Sequence, residues 1–259
     1  MAGSGIVFLM YHELELPGRQ LVQSEPGYVR YILRETAFRS QIDWLHSNSW
    51  HGLSVSEALG SSAEKSVAIT FDDGCETDLI AAAPILRDAE FRATFYVTTG
   101  FLDKPGYMSA AQLRELSSSG FEIGCHSMTH AYLDDLNSQQ LHVEIVDARS
   151  RLEDVVGHKV EHFSCPGGRY NERTLSLARQ AGYCSVATSR AHANSSTTDP
   201  FRLGRVAVMR NTSQTDFENI CATRDLWKMR LGESVRTSTR KMLGNNLYDR
   251  VRTAMLRQS

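Results

Sequence analysis

The stretch AITFDDGCET at residues 68–77 decides the predicted fold, because an apolar run stops abruptly at two adjacent carboxylates, Asp72 and Asp73. A short apolar run without alternation is typical of a strand buried on both faces of a parallel sheet. Two neighbouring acids at the end of such a strand repel each other. Their adjacency therefore indicates a site in which the two side chains have separate tasks, one of them binding a cation.

Further runs rich in Val, Ile, Phe and Tyr recur along the chain, with amphipathic helical patterns such as Phe38, Ile42 and Leu45 between them. Strand alternating with helix predicts parallel βα units. About seven units favour a (β/α)7-type distorted barrel over an open doubly wound sheet, since no GxGxxG or P-loop marks a nucleotide crevice. The seven predicted strands are GIVFLM, SVAITF, ATFYVT, FEIGCH, EHFSCP, YCSVAT and RVAVM.

Composition is that of an ordinary globular protein, with 259 residues, 41% hydrophobic residues and a formal net charge of -2. This balance gives no reason to expect a nucleic-acid partner. The five cysteines are scattered and form no CxxC, so neither a disulfide framework nor a thiolate zinc site is predicted. The apolar run Ile6–Met10 is too short for a signal sequence or a membrane span. We therefore expect a cytoplasmic protein.

Charge is uneven, because residues 222–259 hold nine Lys/Arg against three Asp/Glu. We predict a catalytic barrel over residues 1–214 and a helical, basic C-terminal extension over residues 215–259. One interpretation of the extension is a solvated helix that packs on or flanks the barrel. The other is a basic amphipathic helix in peripheral contact with the inner face of a membrane. Residues 13–30 and 190–200 are predicted as loops, a place where binding segments often lie.

Polar residues follow four of the predicted strands directly, and the carboxyl ends of parallel strands meet at one rim. We therefore predict a single pocket there. The residues concerned are Asp72 and Asp73 after VAITF, His126 and His130 after FEIGC, Pro166 and Gly167 after HFSC, and Tyr11 and His12 at the end of IVFLM.

His126 and His130 are four residues apart, a spacing that lets both imidazoles bind one metal ion. The pair His158 and His162 has the same spacing, so the spacing alone is weak support. A carboxylate from Asp73 would complete a three-ligand site. Asp72 would then be free to act as general base. Two alternatives stay open: a DDG turn that only caps the next helix, and the two-histidine, one-carboxylate site of a non-haem Fe(II) oxygenase.

Three segments together, TFDDG, HSMTH and FSCPGGRYNERTLSLARQAGY, resemble the polysaccharide deacetylases of carbohydrate esterase family 4. The opening MYHEL and the later SVSEAL resemble the branch that includes poly-N-acetylglucosamine deacetylases. The resemblance covers roughly residues 6–210. It implies a hydrolase that removes N-acetyl groups from an amino sugar in a polysaccharide, an oligosaccharide or a glycan precursor and releases acetate.

The resemblance also implies roles for individual residues. Asp72 is the base, and Asp73, His126 and His130 bind a divalent metal, with zinc the expected one. His12 is the general acid, on a strand that reaches the amino terminus through circular permutation of the barrel.

The third motif departs from the family pattern. Gly167 stands where the family has a tyrosine whose backbone N–H binds the oxyanion, and Ser164 stands where the family has an arginine that orients the base. These changes leave a second hypothesis, a catalytically impaired sugar- or metal-binding relative. Tyr11, Pro166 and Arg205 are weaker candidates for positioning substrate, and Arg205 is also a candidate for positioning Asp72.

Overall fold

The computed structural model describes residues 5–61, 64–224 and 226–230. Ten strands lie within these residues, and all seven predicted strands are among them. The strands are β1 Val7–Tyr11, β2 Leu14–Glu15, β3 Leu33–Arg34, β4 His51–Leu53, β5 Ser66–Asp73, β6 Thr94–Val97, β7 Glu122–Cys125, β8 His162–Ser164, β9 Ser185–Ala187 and β10 Val206–Ala207.

Eight of these strands form one sheet in the order β10-β1-β5-β6-β7-β8-β9, with β4 paired to β5, and the pairings are parallel. β2 and β3 form a separate two-stranded sheet. β2 lies within the predicted loop 13–30, and β3 follows shortly after it. The sequence pattern had not predicted β2, β3 or β4.

The segment that leads into β10 brings the two edges of the sheet together. Thr188 donates its backbone N–H to the Leu203 carbonyl at 2.8 Å, while Val206 and Ala207 pair with β1. The sheet therefore curls into a distorted barrel, which confirms the predicted fold class. β1, the strand that precedes His12, lies between β10 and β5 in the sheet. The circular permutation that the resemblance implies stays a prediction.

Helices cover the outside of the barrel. Several begin at capping boxes, for example at Ser109 and Asn171, where a side chain bonds the free N–H groups of the first turn. The helices are α1 Pro26–Val29, α2 Glu35–Ser47, α3 Val55–Gly60, α4 Ala83–Asp88, α5 Ala110–Ser118, α6 Ser138–His142, α7 Ala148–Val156, α8 Glu172–Gln180 and α9 Gln214–Cys221. Two π-helical turns, Asp78–Ala82 and Val143–Asp147, lead into α4 and α7.

The two faces of β5 are both buried, as its unbroken apolar run predicts. Ile69 and Phe71 belong to the core under the helices, whereas Ala68 packs inside the barrel with Phe8 and Tyr96. Side chains alternate along a strand, so Asp72 points into the barrel interior as Ala68 does. Asp72, the base predicted from the sequence, thus lies in the barrel interior at the carboxyl end of β5.

The predicted C-terminal extension is described only in its first part. Helix α9 packs on the barrel, because Phe217 is fully buried and its ring lies 6.1 Å from that of Trp44. Residues 231–259, on which the predicted basic amphipathic helix falls, lie outside the described residues. Among the described helices, none combines the length and the apolar character that crossing a membrane requires. The domain boundary after residue 214 stays a prediction.

Tyr11 lies in the hydrophobic core. Its side chain is fully buried, its ring packs 5.1 Å from that of Phe38 and 5.2 Å from that of Phe71, and its hydroxyl donates to Gln41 Oε1 at 2.9 Å. The substrate-positioning role predicted for Tyr11 is therefore wrong. Tyr11 is the last residue of β1 and still follows the alternation of the strand, which directs it toward the helices.

Replacing Tyr11 with phenylalanine tests this assignment. Tyr11→Phe leaves Gln41 Oε1 buried without its donor, so we expect the free energy of unfolding to fall by about 1–3 kcal/mol. Urea unfolding followed by circular dichroism measures the change. Tyr31→Phe is the control, since the Tyr31 ring is only partly buried, and it should stay within about 0.5 kcal/mol of wild type. Equal stability of Tyr11→Phe and wild type would contradict the assignment.

Candidate active site

The carboxyl ends of four strands of the sheet, β1, β5, β7 and β8, build the site at one rim of the barrel. Asp73 ends β5, His126 follows β7, the turn Pro166–Gly168 follows β8, and His12 follows β1. The backbone is left-handed at several of these positions, with φ of 81° at Asp73, 70° at Ser127 and 64° at His130. Left-handed backbone at non-glycine residues is costly and clusters at functional sites.

Three predicted ligands converge in this structure. Asp73 Oδ1 lies 3.6 Å from His126 Nε2 and 3.4 Å from His130 Nε2. One ligand atom from each of the three residues lies within 4.8 Å of the other two. Two imidazole nitrogens and one carboxylate oxygen, converging in this way, form a donor set that suits a divalent transition metal.

The protonation state of His126 fits a metal ligand. His126 Nδ1 lies 2.9 Å from the Ser164 carbonyl, and because a carbonyl can only accept, Nδ1 carries the proton and Nε2 keeps its lone pair. Burial lowers the pKa of His126 to about 4, so the imidazole is neutral at neutral pH. Metal binding requires this neutral form.

Asp73 adds a second observation that fits a bound cation. Its Oδ1 atom is buried and has no hydrogen-bond partner among the described residues. A buried carboxylate oxygen without a donor is unfavourable unless a positive charge compensates it. The residues present therefore fit a divalent metal held by Asp73, His126 and His130.

Asp72 is held by Arg205 rather than left to share a cation with its neighbour. The guanidinium donates from Nη1 to Asp72 Oδ1 at 2.7 Å and from Nη2 to Oδ2 at 2.8 Å. Burial alone would raise the pKa of Asp72. The charge of Arg205, followed by that of His126, outweighs burial and holds the pKa well below its usual value. Asp72 is thus ionised and able to accept a proton.

Arg205 reaches Asp72 through the barrel interior, where the residue is 1% exposed. Its Nη2 atom also donates to Ser164 Oγ at 2.7 Å, and its Nε atom to the Thr188 carbonyl at 3.1 Å. The substrate-positioning role predicted for Arg205 stays a prediction, since its described hydrogen bonds all join it to residues of the barrel interior. The other role predicted for it, positioning Asp72, agrees with these contacts. Arg205, the residue before β10, thus places a guanidinium beside Asp72 and Ser164, although position 164 itself carries no arginine.

His12 lies beside the same carboxylates. Burial lowers its pKa, while the charges of Asp73 and then Asp72 act in the opposite direction. Its Nδ1 atom is buried without a hydrogen-bond partner among the described residues, and its ring lies 5.1 Å from that of Tyr31. A histidine in this setting is able to carry a proton to or from a group bound at the rim.

The turn after β8 contains the other two predicted residues. Gly167 has φ of 60°, and a Cβ atom there would lie 3.1 Å from Tyr132 Cε1. A residue with a side chain would therefore be strained at this position. Pro166 is buried at the start of this turn, and its predicted contact with substrate stays a prediction.

Sequence comparison identifies the family. The family described as polysaccharide deacetylase matches residues 60–186. Over 215 residues the chain is 30% identical to the putative polysaccharide deacetylase YxkH of Bacillus subtilis, which covers 81% of this chain and 73% of that protein. The chain belongs to the polysaccharide deacetylase family, as its sequence motifs predict.

Two further proteins are similar to this chain, one in sequence and one in structure. It is 32% identical over 111 residues to poly-beta-1,6-N-acetyl-D-glucosamine N-deacetylase of Staphylococcus aureus, and the match covers 38% of each protein. The structure of the Streptococcus pyogenes deacetylase PplD in complex with acetate has a TM-score of 0.74 at 23% identity. The alignment covers 85% of this chain and 99% of that chain, so the two share the fold over the aligned residues.

Removing the charge of Arg205 tests its role toward Asp72. In Arg205→Gln the pKa of Asp72 should rise, because the cation that favours the carboxylate is lost. Less of the base is then ionised at acid pH, and the acid limb of the profile of kcat/KM should move to higher pH. Arg205→Lys keeps the charge and should shift less. An unchanged acid limb in Arg205→Gln would contradict the role.

Stability gives a second measure of the same variant. Removing one partner of a buried ion pair costs about 3–5 kcal/mol, so Arg205→Gln should unfold at a lower urea concentration than wild type.

Proposed function

We propose that this protein is a metal-dependent carbohydrate N-deacetylase that hydrolyses the N-acetyl amide of an amino sugar and releases acetate. The observation that supports the proposal most directly is the convergence of Asp73, His126 and His130 beside an ionised Asp72. Membership of the polysaccharide deacetylase family supports the reaction class.

Asp73, His126 and His130 would hold the divalent ion, with zinc the simplest candidate for this donor set. When bound, it supplies Lewis acidity toward the acetyl carbonyl and the attacking water. His126 keeps Nε2 available through its bond to the Ser164 carbonyl. Asp73 has a buried oxygen that lacks any other described partner.

Amide hydrolysis needs a base, a donor for the oxyanion and an acid for the leaving amine. Asp72 takes the proton of the attacking water, and Arg205 holds its carboxylate ionised and oriented. The Gly167 N–H donates to the oxygen on which negative charge develops. His12 delivers a proton to the departing nitrogen. Acetate and a free amine on the sugar are the products.

The substrate we propose is an N-acetylated glucosamine unit within a polymer, an oligosaccharide or a glycan precursor. The likeness to the staphylococcal poly-beta-1,6-N-acetyl-D-glucosamine N-deacetylase supports this class. The second hypothesis, an impaired relative, is based on the altered third motif, in which Ser164 and Gly167 replace the arginine and the tyrosine of the family. The pair formed by Arg205 and Asp72 weakens that argument.

Acetate release tests the proposal. Purified protein would be incubated with polymeric, nucleotide-linked and lipid-linked N-acetyl sugars, and acetate would be measured enzymatically. We expect release by wild type, loss after chelation and recovery when zinc is added back. In Asp72→Asn the base is lost while the shape of the side chain is kept, and we expect kcat to fall by at least about 100-fold.

The control variant is Asp43→Asn, an exposed aspartate on α2 remote from the rim, which should match wild type. Acetate release by Asp72→Asn at the wild-type rate would refute the assigned base. No release from any substrate by zinc-loaded wild type would favour the impaired relative.

A further inference from the structure

We infer that Glu144 is a positioning residue that fixes the loop 126–130, on which His126 and His130 aim their imidazoles at Asp73. The inference rests on the proposed function, since it concerns how the metal ligands are held. Glu144 lies in the π-helical turn Val143–Asp147, on a different element from any ligand.

The carboxylate of Glu144 binds the middle of that loop. Glu144 Oε2 accepts the backbone N–H of Met128 at 2.9 Å and that of Thr129 at 2.8 Å. Glu144 Oε1 accepts the Thr129 hydroxyl at 2.5 Å. The residue is 5% exposed, so these three donors bind it away from water. Charge-assisted bonds of this kind are about twice as strong as neutral ones.

The opposite side of the loop is held by the helical turn Thr99–Phe101. Thr99 donates its N–H to the Ser127 carbonyl at 3.0 Å, and Gly100 donates to the Met128 carbonyl at 2.8 Å. A Cβ atom at Gly100 would lie only 2.4 Å from that carbonyl oxygen. Glu144 and Gly100 therefore hold the same stretch of backbone from its N–H side and its carbonyl side.

The loop needs this support because its backbone is strained. Ser127 and His130 both have left-handed φ, a backbone conformation that is unfavourable for residues other than glycine. The bond from the His130 N–H to Ser127 Oγ at 3.0 Å stabilises the loop from within. Without Glu144 the N–H groups of Met128 and Thr129 would be left without their acceptor. The loop would then relax, and the nitrogen of His130 would leave its place 3.4 Å from Asp73.

The sequence position of Glu144 supports a special role. Leu141, Ile145, Ala148 and Leu152 form the buried stripe of this helical segment, and Glu144 lies on the same stripe. An apolar residue is expected there from packing alone. The neighbouring residue Val143 is 38% exposed. A charged side chain at position 143 would therefore reach solvent, whereas the charged Glu144 is buried. The π-helical turn is a form found often at functional sites.

Zinc affinity measured without substrate tests the inference. A chromophoric chelator would compete for Zn²⁺ with wild type, Glu144→Ala, Glu144→Gln and Gly100→Ala. Loss of a residue that orients the metal ligands typically weakens metal binding by about 10–100-fold, and we expect a loss of this size for Glu144→Ala. Glu144→Gln should fall between, because its amide oxygen still accepts the two N–H groups. Gly100→Ala should weaken binding from the other side of the loop.

Glu153→Ala is the matched control on α7. Glu153 also accepts a backbone N–H, from Val160 at 2.9 Å, and pairs with Arg149. Among the described residues, these side-chain interactions of Glu153 do not involve the loop 126–130. Its Kd for zinc should stay within about twofold of wild type, even where its unfolding temperature falls as much as that of Glu144→Ala.

The outcomes separate the two proposals. A folded Glu144→Ala with the wild-type Kd would overturn the positioning role, and so would an equal loss in Glu153→Ala. If Glu144→Ala does not fold, a wild-type Kd for zinc in both Glu144→Gln and Gly100→Ala would overturn the positioning role instead. Wild type that binds no zinc would instead refute the proposed metal dependence.

Discussion

Two adjacent carboxylates at the end of one buried strand are the constraint around which this site is built. The negative charges of Asp72 and Asp73 would repel each other, and burial away from water strengthens that repulsion. The fold solves the problem separately for each. Arg205 neutralises Asp72 through two hydrogen bonds, whereas the divalent metal that we propose would neutralise Asp73, whose Oδ1 atom has no hydrogen-bond partner among the described residues. In this proposal Asp72, which Arg205 already neutralises, is the acid that takes up a proton.

Backbone geometry makes this separation possible. Alternation along β5 turns Asp72 into the barrel interior, where the long side chain of Arg205, the residue before the edge strand β10, can reach it. Asp73 leaves the strand with left-handed φ and faces the histidines instead. Loops and turns complete the rim, and some of their residues have an unfavourable left-handed backbone. Buried hydrogen bonds, such as those that Glu144 accepts, offset this strain. Rigidity at this rim is what would hold the ligands in place before any metal binds.

Much of this arrangement was predictable because it follows local rules. Unbroken apolar runs located seven strands, and acids or histidines directly after them indicated the rim. The contact between Arg205 and Asp72 joins residues distant in the chain, and sequence could offer it only as one of two roles. Tyr11 shows the converse error, since nearness to His12 in the chain placed it in the site although strand alternation buries it. The sequence pattern also indicates Glu144, because a charged residue lies there on the buried, apolar face of a helix.

The central claim is the division of labour between the two acids, and zinc affinity of the two asparagine variants tests it most directly. Competition with a chelator would compare Asp72→Asn and Asp73→Asn with wild type. The account predicts that Asp73→Asn loses zinc affinity by at least about 100-fold, as expected for a lost ligand, whereas Asp72→Asn keeps an affinity within about tenfold of wild type. Equal losses in both variants, or a larger loss in Asp72→Asn, would contradict it.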